Sequence, residues 1–387
     1  MTTTASSWSP PATGAAEHFI IARPNRGGVF AAQVSRVFAL YEAELAGLWL
    51  DAASGVTATL FLSDSANQED ELRVHPGFGR LLEAGVAVTV IQQPPAGAKV
   101  ALFAYHVARP AGTADRVRLT VPGAKGKATG LEIAAGAYRH YYLRNLLAPR
   151  SGGAGEQTDA LLGTPGLGVQ SHGIALGEVV RTWLYIADLD TNYTPVSTAR
   201  NRIFDRHGIT KDAGFPASTG IQGRSAEAGD LLLLDALAIK GLQPGQSRRM
   251  EALSHMNATV EYGVTFERGR EVVFGDRRHL YVSGTASISN KGEILHLGDV
   301  GRQTERAVEN VRALLDTSGA ALADMRYLIV YLRDFIDSDT VEAVLAASPL
   351  AAVPRLLVHA PVCRPGWLVE FEGVAVDGKG DGRFGVF

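Results

Sequence analysis

The stretch Pro354 to Val376, PRLLVHAPVCRPGWLVEFEGVAV, brings together residue types that can do chemistry. It holds the chain's only cysteine, Cys363, and seven residues on a carboxylate, Glu370, among apolar neighbours. An arginine, Arg355, stands near its start. Pro365-Gly366 reads as a turn, so the stretch is expected to form a two-stranded hairpin. Side chains alternate faces along a strand. Such a hairpin puts Arg355, His359, Cys363, Glu370 and Glu372 on one face, with Glu372 opposite His359. A guanidinium grips a carboxylate in a fork. A carboxyl on an apolar strand holds its proton into the neutral range and can pass it to a substrate. That set suits a small carboxylic acid. The plainer reading makes Glu372 and His359 a solvated pair and Cys363 a small buried hydrophobe.

The elements that must position these residues repeat weakly. WLYIAD (Trp183 to Asp188) resembles IVYLRD (Ile329 to Asp334), and a helical stretch follows each: TPVSTARNRIFDRHG in one, SDTVEAVLAAS in the other. FPASTGIQGR then corresponds to VPRLLVHAPV, and LLLLDALAI to LVEFEGVAV. The first copy has Leu233 where the second has Glu370, and Ala217 where the second has Arg355. A scaffold requirement would mark both copies alike, so one copy is equipped for chemistry. HLYVSGTASIS reads as a strand and turn, and DVGRQTERAVENVRALLDTSG as a helix with Val308, Val311 and Leu315 on its apolar stripe. FIIARP, LWLDAA, ATLFLSD, VAVTVIQQ, VALFAYHVA and RVRLTV are strand-like, and AAGAYRHYYLRNLLAP is a candidate helix. GTPGLG lacks the Lys-Ser/Thr ending of a phosphate loop and reads as a plain loop. The class is α+β. The expected divisions are a disordered lead-in at 1–18, an α+β domain at 19–150, a first repeat unit at 160–245, and a catalytic unit at 255–377.

The 387 residues carry a formal net charge of −3, with 46% hydrophobic and 20% charged residues. This suits a soluble globular protein with neither nucleic acid nor membrane as a general partner. One cysteine leaves no internal disulfide framework and no Cys-rich zinc site, and it fits a reducing cytoplasm. No apolar run approaches a membrane span, and the N-terminus has no signal-peptide pattern.

HLYVSGTASIS, GDVGRQTERAVENV and VPRLLVHAPVCRPGWLVEFEG resemble the RidA/YjgF superfamily, in which an Arg after a Pro and a Glu in a VEIE-type strand lie fifteen residues apart, as Arg355 and Glu370 do. A long chain with two such units resembles the chorismatases within it. That resemblance implies RidA/YjgF-like (chorismate-mutase-like) repeated units, and a cofactor-free, metal-free reaction on chorismate. It implies Glu370 as the acid that protonates the enolpyruvyl methylene, with pyruvate released. A subfamily with a Cys seven residues before the Glu, as Cys363 stands here, implies 3-hydroxybenzoate as product. The region LSHMNATVEYGVTFERG is closer to a group that also makes 4-hydroxybenzoate. Hydrolysis to a dihydroxycyclohexadiene carboxylate and a RidA-like 2-imino acid deaminase are the alternatives. Chorismate carries two carboxylates, so arginines are required. Arg355, Arg200 and Arg268 are candidates, with Tyr193 and Tyr262 beside them, each otherwise an ordinary surface or interface side chain. An internal copy can fill the place of a second subunit in RidA trimers, so a monomer is expected.

Overall fold

The computed structural model describes residues 2–11, 14–122, 129–149 and 152–387, and for Tyr262 the backbone only. Three sheets follow one another along the chain. The first unit runs β1 (Thr2–Trp8), β2 (Ala16–Arg23), α1 (Phe30–Gly47), β3 (Gly55–Leu62), α2 (Ser65–Arg73), α3 (Pro76–Glu83), β4 (Ala87–Gln92) and β5 (Val100–Ala108). The second runs β6 (Asp115–Leu119), β7 (Thr129–Ala135), β8 (Tyr138–Leu147), α4 (Ala154–Thr158), β9 (Val179–Ile186), α5 (Leu189–Arg206), β10 (Ala217–Gln222) and β11 (Leu232–Lys240). The third runs β12 (Ser247–Met250), β13 (Gly269–Val273), β14 (Arg278–Ala286), α6 (Val300–Thr317), β15 (Met325–Leu332), α7 (Ser338–Ala346), β16 (Arg355–His359) and β17 (Val369–Asp377).

The sheet orders are β1-β2-β5-β3-β4, β10-β9-β11-β8-β7-β6 and β12-β13-β14-β17-β15-β16. Read in the same direction, they are one topology used three times, the first copy without the outermost strand. Each copy contains a parallel pair joined by helix, β3 with β4, β9 with β10, and β15 with β16. A parallel pair needs such a crossover, and a closing antiparallel strand then fills the place beside it. The class is α+β, as the sequence implies, with three copies rather than two.

The sheets turn one face toward each other. Phe103, Tyr142, Trp183, Tyr281, Tyr327 and Phe371, drawn from all three sheets, belong to one buried cluster. The helices cover the outer faces. On α6, Val300, Thr304, Ala307, Val308, Val311, Leu314 and Leu315 are buried, the spacing of one helix face. Asp299 caps that helix by accepting the Arg302 N–H. Among the described residues no helix is long and apolar enough to cross a membrane.

Four expectations are corrected. Thr2–Trp8, within the expected disordered lead-in, is a strand paired antiparallel along its length with β2. The change of sheet falls between Ala108 and Asp115, because β7 and β8 pair with each other and β8 pairs with β11; it does not fall near residue 150. The candidate helix at AAGAYRHYYLRNLLAP is the β7–β8 hairpin, turned by Gly136 at φ 55°, and its tyrosines are good strand residues. LWLDAA lies in the turn after α1 and at the start of the short helical turn Ala52–Ser54, not in a strand.

Candidate active site at the seam of the second and third units

The stretch that opened the sequence reading is not a hairpin. β16 pairs parallel with β15, and β15 lies between β16 and β17. Glu370 sits on β17 with Tyr331 of β15 on one side and Ala286 of β14 on the other. The residue is 6% exposed. Its carboxyl lies over Gly284, where a Cβ would stand 2.4 Å from Oε1, with the Thr219 methyl of the second unit 3.3 Å away. The missing side chain makes the room, as a glycine within a strand commonly does. Burial, the main cause, and the Glu372 carboxylate push the Glu370 acid up to about 8, against the opposing pull of Arg268 and Arg181. It therefore carries a proton at neutral pH.

Cys363 follows β16 and is part-buried. Burial pushes its thiol up to about 12, the Glu370 carboxylate adds to this, and a hydrogen bond with Tyr193 opposes it. The thiol is thus neutral and a poor nucleophile. Tyr193 comes from α5, and its ring lies 3.3 Å from where a Cβ on Gly220 of β10 would stand. Arg200, seven residues on along the same helix, is also buried.

Arg268, just before β13, donates to the Asn257 carbonyl (3.3 Å) and to Asn257 Oδ1 (3.2 Å). The guanidinium groups of Arg200 and Arg268 lie 5.9 and 5.8 Å from the Phe266 ring centre. Two buried guanidinium groups, 4% and 6% exposed, thus converge on one ring from two units. Gathering like charges in a dry place is costly and suits an anionic ligand. Tyr262 belongs to the turn Thr259–Tyr262, and its side chain lies outside the described residues.

Arg355 is not part of this group. Its Nε donates to both oxygens of Glu342 at 3.1 Å, and its Nη1 donates to the Ala351 carbonyl at 3.1 Å. It lines a cleft of about 860 Å³ with Arg23, Arg26, Asp339 and Glu342, where the third unit meets the first. β15 has taken the place beside β17 that the expected hairpin gave to Arg355's own strand. For the same reason His359 does not face Glu372: it bonds the Arg333 carbonyl at 3.0 Å and packs on Phe335.

Glu372 instead reaches the second unit. Arg181 Nη2 donates to it at 2.8 Å and Trp183 Nε1 at 2.9 Å. Arg181 Nη2 also donates to Thr219 Oγ1 at 2.6 Å, and that oxygen accepts the Gly284 N–H at 3.0 Å. The sequence reading missed Arg181, Trp183, Thr219 and Gly284. An arginine inside the apolar run VVRTWLYI and a glycine inside the strand HLYVSGTA were the available signals.

Residues 271–377 match the model of the family described as Endoribonuclease L-PSP. A chorismatase of Streptomyces hygroscopicus is 29% identical over 215 residues, which are 51% of this chain and 61% of that protein. A chorismatase of Streptomyces rapamycinicus is 28% identical over 230 residues, 51% of this chain and 63% of that protein. The chain thus spans about three fifths of the length of these curated relatives. The 3-aminoacrylate deaminase RutC of Acinetobacter baylyi is 29% identical over 97 residues, 25% of this chain and 77% of that protein. A crystal structure of chorismatase shares the fold, with a TM-score of 0.64 at 18% identity, covering 94% of this chain and 99% of that one. Residues 271–377 thus form a domain of that family, which places the third unit in the RidA/YjgF superfamily. The chain is a homologue of the chorismatases.

Proposed function

We propose that this protein cleaves chorismate, releasing pyruvate and 3-hydroxybenzoate, alone or with 4-hydroxybenzoate. The observation that carries this reading is the Glu370 carboxyl, buried at the seam and still protonated at neutral pH, beside Cys363 and two buried arginines. In the relatives' names the activity belongs to chorismatases; here it rests on that acid.

Glu370 gives its proton to the enolpyruvyl methylene carbon, and the ether-bearing carbon gains oxocarbenium character. The nascent Glu370 carboxylate stabilises that charge. The ring hydroxyl then displaces the ether oxygen, which leaves with the side chain as pyruvate. The resulting arene oxide opens, loses its ring proton and becomes 3-hydroxybenzoate, and a proton returns to Glu370. No water is consumed, so atoms balance without a co-reactant. Arg200 and Arg268, with Tyr193 and Tyr262, bind the two carboxylates and the ring. Cys363, as a neutral thiol tied to Tyr193, shapes the pocket against water. Three units in one chain supply the seam internally, which favours a monomer.

The test is incubation of the purified protein with chorismate, with pyruvate assayed and the aromatic products identified by NMR. Pyruvate with 3-hydroxybenzoate is expected. A dihydroxycyclohexadiene carboxylate would mean that water reaches the intermediate. Glu370→Gln should abolish turnover while leaving binding. Cys363→Ala should change the product spectrum, and an unchanged spectrum would remove the role given to the thiol. A 2-imino acid deaminase is the second reading, favoured by the similarity of a 97-residue stretch of the chain to the 3-aminoacrylate deaminase. Ammonia release from an imino acid, without pyruvate from chorismate, would establish it.

A further inference from the structure

We infer that Glu372, held by Arg181 across the seam, is a positioning residue that keeps the proton on Glu370. This rests on the reading of Glu370 as the acid. The strand repeat places both carboxylates on the same face of β17, two residues apart. Glu372 is 3% exposed and Arg181 is 1% exposed. Glu372 accepts from Arg181 and Trp183. A guanidinium and an indole N–H thus pair this buried carboxylate across the seam. The carboxylate so held opposes ionisation of Glu370, whose own carboxyl has no compensating hydrogen bond among the described residues.

The same constellation steadies the geometry. The Arg181 group that holds Glu372 also holds Thr219, and Thr219 holds the Gly284 N–H over which Glu370 lies. The groups that face Glu370 are Glu372 on its own strand, Arg181 from β9, Arg268 before β13, and the Cys363 thiol after β16. Of these, Glu372 is the carboxylate that opposes the two arginines.

The internal repeat supplies the competing role. The register of β11 against β9 puts Asp235 where Glu372 stands, and Leu233 where Glu370 stands. Asp235 is likewise buried, accepting from Arg144 (2.9 Å), Thr89 (2.7 Å) and the Asn145 N–H (2.7 Å). A buried carboxylate can thus stitch two units together with no acid beside it. A role in stitching predicts lost stability alone; control of the neighbouring proton also predicts a moved titration.

Glu372→Gln separates the two. The basic limb of kcat/KM for chorismate should move down by roughly one unit, so that activity at pH 8 falls severalfold more than at pH 6. An unmoved limb, or one moved upward, would overturn the inference. Should the single variant not fold, the neutral pair Arg181→Met with Glu372→Met is expected to give a smaller downward shift. The Glu370 carboxyl is read independently by infrared titration of its protonated C=O band, with Glu370→Gln as the reference. If chorismate is not turned over, the proposed substrate fails, yet this titration still decides: a downward shift in Glu372→Gln upholds the inference, and none overturns it.

Discussion

If chorismate is cleaved as proposed, Gly284→Ala should remove most of that activity while leaving the fold standing. The added Cβ would stand 2.4 Å from Glu370 Oε1 and 2.8 Å from its Cδ, against an ordinary contact of 3.4 Å or more. The carboxyl must therefore retreat by about 1 Å. A misplacement of that size at the reacting group costs on the order of 100-fold in rate. The backbone tolerates the change, because Gly284 is not among the residues with positive φ. The crowded atom is the end of a side chain rather than main chain. Restricting the unfolded chain returns about 0.4–1 kcal/mol, so net stability should change little. The assay pairs kcat/KM for pyruvate release with the urea midpoint. A variant with wild-type kcat/KM and a wild-type midpoint would refute the placement of Glu370 over Gly284 as the catalytic geometry.

Three further outcomes are expected. Glu370, raised to about 8 in the fold, binds its proton more tightly folded than unfolded, so its share of stability falls as pH rises from about 4.5 to 8. Glu17, lowered to about 2 by His279, Arg277 and a Tyr105 hydrogen bond against the dominant burial, behaves oppositely: its share is present above 4.5 and is lost as pH falls toward 2. Urea midpoints against pH should then fall less steeply between 5 and 8 in Glu370→Gln than in the parent, and an identical slope would refute the raised acid. Arg181→Ala leaves Glu372 buried without its cation and should cost about 3–5 kcal/mol by chemical denaturation, whereas a loss under 1 kcal/mol would show the pair to be dispensable. Arg355→Ala, whose guanidinium is engaged by Glu342 in another cleft, should keep kcat/KM within about twofold; a large loss would return Arg355 to the site.

Much of the machinery was legible locally. The α6 stripe, the strands flanking α5 and α7, and an acid on an apolar strand seven residues after a cysteine are patterns of neighbours in sequence. Cys363 lies beside Tyr193 and Glu370, Arg268 faces Glu370 and shares the Phe266 ring with Arg200, and the second unit has Leu233 at the acid's position. The first unit's membership in the same topology was hidden because its residues share almost no chemistry with the other two: Ala101 and Phe103 stand where Glu370 and Glu372 do.

What the residues determined by themselves was therefore that Glu370 would be a buried acid in a strand–helix–strand unit, since burial follows from apolar neighbours and period. Only the tertiary structure decided its company. The fifteen-residue spacing to Arg355 carries no information about a third strand between them, and β15 intervenes because a parallel pair must be closed by a crossover. Arg181, Trp183 and Thr219 reach the site from a different sheet, across a seam whose contacts link Glu372 to residues some 190 positions earlier. Burial at that seam is the main reason the Glu370 acid is raised, with the Glu372 carboxylate second, because desolvation and the field of a charge depend on surroundings in space and not on separation along the chain.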